Sequence, residues 1–417
     1  MGMTIAEKIF SAHCGREVRA GELVVSDVDF MMGQDGTSPL AIEAFREIGG
    51  DRVRDPSRVA MVIDHSSPSP VEGISNLHDM MRAFAEEQGL KLYDVGWGVC
   101  HCLLPEQGHV APGDIVIGAD SHTTTYGAIN VFSTGVGSTD LAAAMLTGKL
   151  WFRVPHTLRL ELGGRLAEGV YSKDVALYLA GQLTADGATY MAVEYAGEVI
   201  DSLSVEARFT ISNMAVEIGA KAGLMRADDK TLEWIHGRVS RPFTPAEPDA
   251  DADYQEIREF DLDGLTPQVA EPHRVDNVRA VEEVEGVPVR EAVLGTCTNG
   301  RLEDLEVAAR ILTGRRVDPR VRMVLATASR QVLMNGMKSG VIQRLIEAGA
   351  VMVAPGCGPC VGTHNGVPAD GDRVISSANR NFKGRMGNSS AFIYLASPAT
   401  VAASAVAGKI TDPRRMM

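Results

Sequence analysis

Val351-Met-Val-Ala-Pro-Gly-Cys357-Gly-Pro-Cys360-Val-Gly362 is the stretch on which the reading of the whole chain turns. Its β-branched, apolar start reads as a buried strand, and two cysteines two residues apart follow at once. Glycines at 356, 358 and 362 keep the loop open, and Pro359 stiffens it. Such a loop can turn two thiolates towards one point, which is what a metal centre requires.

Working outward, a chain of 417 residues is too long for one simple core and predicts two or three domains. The composition, 45% hydrophobic and 23% charged, is that of an ordinary globular protein. No apolar run reaches the roughly 18 residues of a membrane span, and the first ten residues are too short and too charged for a signal peptide. Six cysteines without a secretory signal read as reduced thiols in a cytoplasmic protein, with metal binding or catalysis as the use of the clustered ones. The net charge of −14 argues against non-specific nucleic-acid binding, leaving only a local basic patch for that role.

Strand-like and helix-like segments alternate through residues 1–155, which predicts a largely parallel α/β sheet. Val59-Ala-Met-Val-Ile63 ends at Asp64-His65, and Asp114-Ile-Val-Ile-Gly118 ends at Ala119-Asp120-Ser121-His122. A second domain over 156–285 opens on the period-two strand Thr157–Leu162 and holds helices near 173–183 and 205–222. Within it, residues 237–276 are rich in Pro, Asp and Glu with little periodicity, and read as a linker or surface excursion. A third α/β domain over 286–417 has a strand at Ala292–Leu294 leading into Gly295-Thr-Cys297-Thr-Asn-Gly300, another at Val321–Ala326, the opening stretch, and Val374–Ser376.

In a doubly wound sheet, sites form at the carboxyl ends of strands. Three strands of the last domain end in Cys297, in Cys357/Cys360 and in the loop of Arg380 and Arg385. Free cysteines are also common as small buried hydrophobes, so the convergence weighs more than any one thiol. An iron–sulfur cubane on three cysteines leaves one iron open as a Lewis acid. A structural zinc wants four ligands, and Cys100 or Cys102 could supply the fourth. Gly356-x-Gly358 superficially suggests a dinucleotide loop, but the third glycine is misplaced and a pyrophosphate needs no cysteine pair.

Asp64-His65 and Asp120-Ser121-His122 each pair an acid with an imidazole at a strand end; both would also serve as helix caps. Asn213 and Glu217, four apart on a helix, share one face, as a surface pair also would. Arg380 and Arg385 flank a polar loop and form a fork for one or two carboxylates.

Together, Gly295–Gly300, Gly356-Cys-Gly-Pro-Cys360, Ser377-Ala-Asn-Arg-Asn-Phe-Lys-Gly-Arg385, Gly118-Ala-Asp-Ser-His-Thr123 and Ser212-Asn-Met-Ala-Val-Glu217 resemble the aconitase superfamily, in order and through nearly the whole chain. Tyr126-Gly-Ala, Trp151-Phe-Arg-Val-Pro155 and Gly187-Ala-Thr-Tyr-Met191 look like the branch whose large subunits act on isopropylmalate or homoaconitate. The resemblance implies a three-domain α/β/α core with mostly parallel sheets and a [4Fe–4S] cluster on Cys297, Cys357 and Cys360. It implies His101 near the substrate hydroxyl, paired with acids such as Asp64 or Glu217. His65, Asp120 and His122 would complete the polar shell, and Ser121, Asn213, Asn379, Arg380 and Arg385 would bind substrate and the cluster surroundings.

Two departures stand out. Pro39 follows Asp35-Gly-Thr-Ser38 where aconitases have a substrate-contacting glutamine, which speaks against citrate. The swivelling last domain with its catalytic serine is missing, which implies a small-subunit partner in a heterodimer or heterotetramer. The expected activity is a hydro-lyase moving a hydroxyl between neighbouring carbons of a 2-hydroxy di- or tricarboxylate. Isopropylmalate comes first, homoaconitate and dimethylmalate- or methylmalate-type acids after it. An RNA-binding regulator in the cluster-free form is the alternative of another class.

Overall fold

The structure, a computed structural model, describes residues 2–417. Three larger sheets follow one another along the chain, beside a two-stranded antiparallel ribbon of Leu23–Asp27 and Lys149–Arg153. The first has five parallel strands, in the spatial order Lys91–Tyr93, Val59–Val62, Phe30–Gln34, Ile115–Gly118 and Phe132–Gly135. The strands Val59–Val62 and Ile115–Gly118 are buried at every residue. Unbroken apolar runs of this kind are what a parallel sheet covered on both faces demands. The strand order reverses beside Phe30–Gln34, the place where an open α/β sheet splits its loops and forms a crevice.

The second sheet is also parallel, in the order Ala222–Leu224, Ala192–Ala196, Thr157–Gly163 and Glu256–Asp261. The third has seven strands: Val278–Ala280, Gln268–Ala270, Phe392–Ala396, Arg373–Ser376, Glu291–Gly295, Arg322–Ala326 and Ala350–Met352. Gln268–Ala270 runs antiparallel to both of its neighbours, and the pairings from Phe392–Ala396 to Ala350–Met352 are all parallel.

Four expectations need correction. Residues 237–276 are not only a linker, because Glu256–Asp261 adds an edge strand to the second sheet and Gln268–Ala270 joins the third. The edge strand is exposed at four of its six residues, so it carries no apolar alternation to read. The third sheet draws two strands from upstream of the boundary expected at 285, each too short, at three residues, to show a period. The helix expected to reach Ala222 stops at Met214 and tightens into a 3₁₀ turn over Ala215–Ile218, closed by Gly219 at φ 88°. Finally, the strand before the cysteine pair is not buried. Ala350–Met352 lies at the edge of its sheet, and Val351 is 63% exposed.

The three sheets share cores where they meet. One apolar cluster joins Leu160, Val193 and Met214 of the middle region to Cys357, Cys360, Val374 and Leu395 of the last. Another joins Val62 and Tyr126 to Phe209 of the middle helix and to Cys297. Tyr126 and Phe209 are almost wholly buried, and each such side chain contributes about 1.5–3 kcal/mol. The carboxyl ends of the first and third sheets are thereby held face to face.

Gly295, which starts the turn to Cys297, has φ 127° and ψ −139°. A Cβ there would meet the Ala326 carbonyl oxygen at 1.8 Å. Backbone would have to move on two adjacent parallel strands. Gly295→Ala is therefore expected to destabilise the chain by about 2–4 kcal/mol, from strain plus overpacking. The denaturant midpoint of the purified variant measures this, and a midpoint equal to the parent's would refute it.

Candidate metal centre and acid–base site

Loops from the first and third regions close around one cavity of about 200 Å³, lined by Gln34, His65, His101, Asp120, His122, Cys297, Cys357, Val361, Asn379, Arg380 and Arg385. The first sheet supplies the acid–base groups. Asp64-His65 follow the strand Val59–Val62, and Asp120 caps the buried 3₁₀ helix Ser121–Ile129, accepting from the His122 amide at 2.8 Å. His101 sits in the short helix Cys100–Glu106, whose first amide donates to Asp64 Oδ2 at 2.7 Å.

Asp120 is the hub. Its Oδ1 lies 2.8 Å from His101 Nε2 and 3.6 Å from His122 Nδ1, and its Oδ2 lies 3.4 Å from His65 Nε2. His65 Nδ1 is 2.8 Å from Asp64 Oδ1, so this ring bridges two carboxylates. Burial opposes its charge, yet Asp64 and Asp120 raise the His65 pKa well above the ordinary histidine value. Burial likewise works against Asp120, but His101 and the other two imidazoles hold its carboxyl well below the usual range. His122 Nε2 is 2.8 Å from Glu217 Oε1, which also accepts from Arg380 Nε at 2.7 Å. Those partners outweigh desolvation and keep Glu217 ionised. His101 Nδ1, by contrast, is buried without a hydrogen-bond partner.

The third sheet supplies the thiols. Cys297 follows Glu291–Gly295, and its Sγ accepts from Asn213 Nδ2 at 3.4 Å and Asn379 Nδ2 at 3.5 Å. Cys357 is docked through its amide to the Asp64 carbonyl at 2.7 Å, which couples the cysteine loop to the histidine loop. Cys360 Sγ lies 3.2 Å from Arg385 Nη2. Its neighbour Cys357 and the guanidinium of Arg385 pull the Cys360 thiol well below its ordinary pKa, against burial. Burial and the neighbouring Cys360 push the Cys297 thiol up to about 11. All six cysteines are free thiols.

The donor set separates the metals. Among the described residues, no group of three ligand atoms within 4.8 Å of one another contains a cysteine. Four thiolates around one zinc at about 2.3 Å would stand about 3.8 Å apart. Cys102 does not complete such a set, since its thiol points at the Cys297 carbonyl at 3.7 Å. A neighbouring pair of soft ligands and a third set apart from it, with amide donors on Cys297 and a guanidinium on Cys360, instead suit a multinuclear iron–sulfur group.

Some predicted residues stand behind the wall rather than in it. Asp64 and Glu217 reach the cavity through His65 and through His122 and Arg380. Asn213 is fully buried and ties Thr125, Thr298, Asn379 and Cys297 together. Cys360 is fully buried just beneath Arg385. Ser121 faces a separate groove beside Trp151 and Tyr190. Arg385, expected to face a substrate carboxylate, has Nη2 committed to a thiol.

Gln34 and Val361, which line the cavity, escaped the sequence reading, as did Asp35. Asp35 is 4% exposed and accepts from the amides of Asp64, His65 and Ser66 at 2.9, 2.7 and 2.8 Å, with His78 Nε2 at 3.2 Å. It therefore shapes the loop that presents His65. Its signal was available: an acid directly after a buried strand, next to a glycine.

Comparison with known proteins agrees with this architecture. The model of the aconitase family (aconitate hydratase) matches residues 7–408. A protein of Methanopyrus kandleri named 3-isopropylmalate dehydratase large subunit 1 is 51% identical over 415 residues, covering 99% of both chains. One of the same name from Thermotoga maritima is 52% identical over 421 residues, covering 100% of both. Among solved structures, the holo-form of Thermococcus kodakaraensis aconitase X superposes with a TM-score of 0.52 over 91% of this chain and 90% of that one. At 12% identity, that likeness speaks for the fold alone.

Proposed function

We propose that this chain, which belongs to the aconitase family, is the cluster-binding large subunit of a hydro-lyase that interconverts 2- and 3-isopropylmalate by dehydration and rehydration. One observation carries this reading: the thiols of Cys297 and Cys357 and a carboxylate-oriented imidazole line the same small cavity, with Cys360 just behind its wall under Arg385 and Arg380 beside them. Cys297, Cys357 and Cys360 would hold a [4Fe–4S] cluster; when bound, it supplies a Lewis-acidic iron for the substrate hydroxyl.

The chain's own residues do the rest. Asp120 holds His101 by Nε2 and leaves Nδ1 without a protein partner, so the ring is oriented to give a proton to the departing oxygen. Glu217 pins Arg380 through Nε, which fixes the plane of the guanidinium for a substrate carboxylate. Arg385 and the two asparagines balance and orient the thiolates, as outer-shell donors do. Val361 gives the wall an aliphatic surface, suited to an alkyl substituent where a homoaconitate would bring a further carboxylate.

Removal of the carbon-bound proton falls to a small subunit, the partner that the relatives' names imply. Anaerobically purified chain is expected to carry about four iron and four sulfide per molecule. Mixed with that subunit it turns over 2-isopropylmalate faster than homoaconitate, and alone it is at least about 100-fold slower, the low end of what a proton-transfer group contributes. Zinc without sulfide, or full turnover by the chain alone, would sink the proposal.

A further inference from the structure

A lysine lies sealed beneath the site. Lys173 is the second residue of the helix Ser172–Leu183 and has no exposed surface. Its Nζ donates to the carbonyls of Ala378 at 2.5 Å and Ser377 at 3.1 Å, and stands 3.9 Å from Met214 Sδ. All three partners are uncharged. The adjacent Asp174 is turned away, its oxygens accepting from the amides of Gln268 and Tyr171 at 2.9 Å each.

The fold offers this cation two carbonyl dipoles but no carboxylate in contact. Burying an ammonium without a carboxylate partner costs several kcal/mol, and the first turn of a helix is the wrong end of its dipole for positive charge. Methionine or leucine would fill the same space more cheaply. The negative groups that favour its charge are Cys360 first and Cys297 second, ahead of Glu217 and Asp304. In the metal-free chain they do not offset burial, which lowers the Lys173 pKa to about 8.

The carbonyls it ties belong to the turn that ends in Asn379 and Arg380. Asn379 donates to Cys297, and Arg380 to Glu217. We propose that Lys173 is a positioning residue for the metal centre: it clamps the Ser377–Ala378 turn from below, and its ammonium is the buried counter-charge of the cysteine-bound group. The inference rests on the reading of Cys297, Cys357 and Cys360 as cluster ligands.

Lys173→Met, which removes charge and donors, and Lys173→Gln, which keeps donors without charge, separate the clamp from the counter-charge. In the metal-free chain, both variants are expected to unfold at or above the parent's temperature, because an uncompensated buried charge is gone. In the loaded chain, both should bleach in the presence of an iron chelator roughly tenfold faster, the low end of outer-shell effects. The cluster's midpoint potential, followed by EPR, should move negative in both, with the larger change in Lys173→Met. Unchanged bleaching and potential in a loaded parent and both variants would overturn the inference and leave the cluster reading standing. Metal-free variants that fail to fold would assign Lys173 to the core and overturn it as well. A parent chain that binds no iron and sulfide would remove the cluster reading, and this inference with it.

Discussion

Asp120→Asn is expected to lower kcat of the loaded, paired enzyme by about 10³–10⁴ while leaving iron content and fold intact. The carboxylate contacts three imidazoles and one peptide amide, and the amide replacement keeps its volume. What changes is hydrogen-bond polarity. An Asn NH₂ turned to His101 Nε2 removes the anion that supports a doubly protonated ring, so Nδ1, the nitrogen without a protein partner, offers only the proton of a neutral imidazole, a far weaker acid. Orienting carboxylates in triads carry effects of about 10⁴ through this route, and general acids contribute about 10²–10⁴.

The same substitution has a signature independent of turnover. His65 has a folded pKa above its unfolded value, so the stability it contributes is complete below about pH 6.5. That contribution disappears as pH rises through the folded pKa. Removing one of its two carboxylates lowers that folded pKa, so the variant should lose less stability than the parent between neutral and alkaline pH. The His65 ring resonance, titrated by NMR, should move at lower pH in the variant. A kcat within tenfold of the parent's would remove Asp120 from the mechanism.

The second large effect belongs to Cys297. Cys297→Ser conserves shape and leaves Asn213 and Asn379 able to donate to the new oxygen. Yet a hydroxyl is a poor replacement for a thiolate on iron. Loss of an outer-shell partner already costs metal sites about 10–100-fold, and loss of a ligand should exceed this. Iron and sulfide are expected to fall below about a tenth of the parent's and activity to vanish, while the metal-free chain unfolds as the parent does. Cys357→Ser and Cys360→Ser should behave alike. Cys102→Ser is the control: its thiol only approaches the Cys297 carbonyl, and the cluster should survive. Equal metal loss from Cys102→Ser would point to a four-thiol site.

How much of this was legible beforehand follows from where the information lies. The strands leading to Asp64 and Asp120 are unbroken apolar runs and the one leading to Cys297 is apolar after Glu291, so their type and their ends show in the sequence. The cysteine pair announces itself by its glycines. Which strand ends face each other does not show, because it depends on the docking of sheets through Phe209, Tyr126 and Cys360, residues that read only as apolar. The exposed Val351 was misread for a related reason: an edge strand and a central strand have the same local composition. Asp35 and Lys173 were passed over because a lone acid or lysine near an element's end usually faces water. Only the completed packing reveals that Asp35 accepts three loop amides and that Lys173 is sealed under the Ser377–Ala378 turn.

The strand order of the third sheet sets a timetable for making the protein. Glu291–Gly295, which leads to Cys297, lies between Arg322–Ala326 and Arg373–Ser376, and the latter is flanked in turn by Phe392–Ala396. Two of these strands are synthesised after Cys360. At ~5–20 residues per second, all three thiols emerge from the ribosome seconds before the neighbouring strands that hold them exist. Asn379 and Arg385, which hold the thiols, arrive in the same last portion of the chain. If the three thiols hold a [4Fe–4S] cluster, iron and sulfide would find a complete site only after residues 373–396 have joined the sheet, and until then the cysteines lack the fold that buries them.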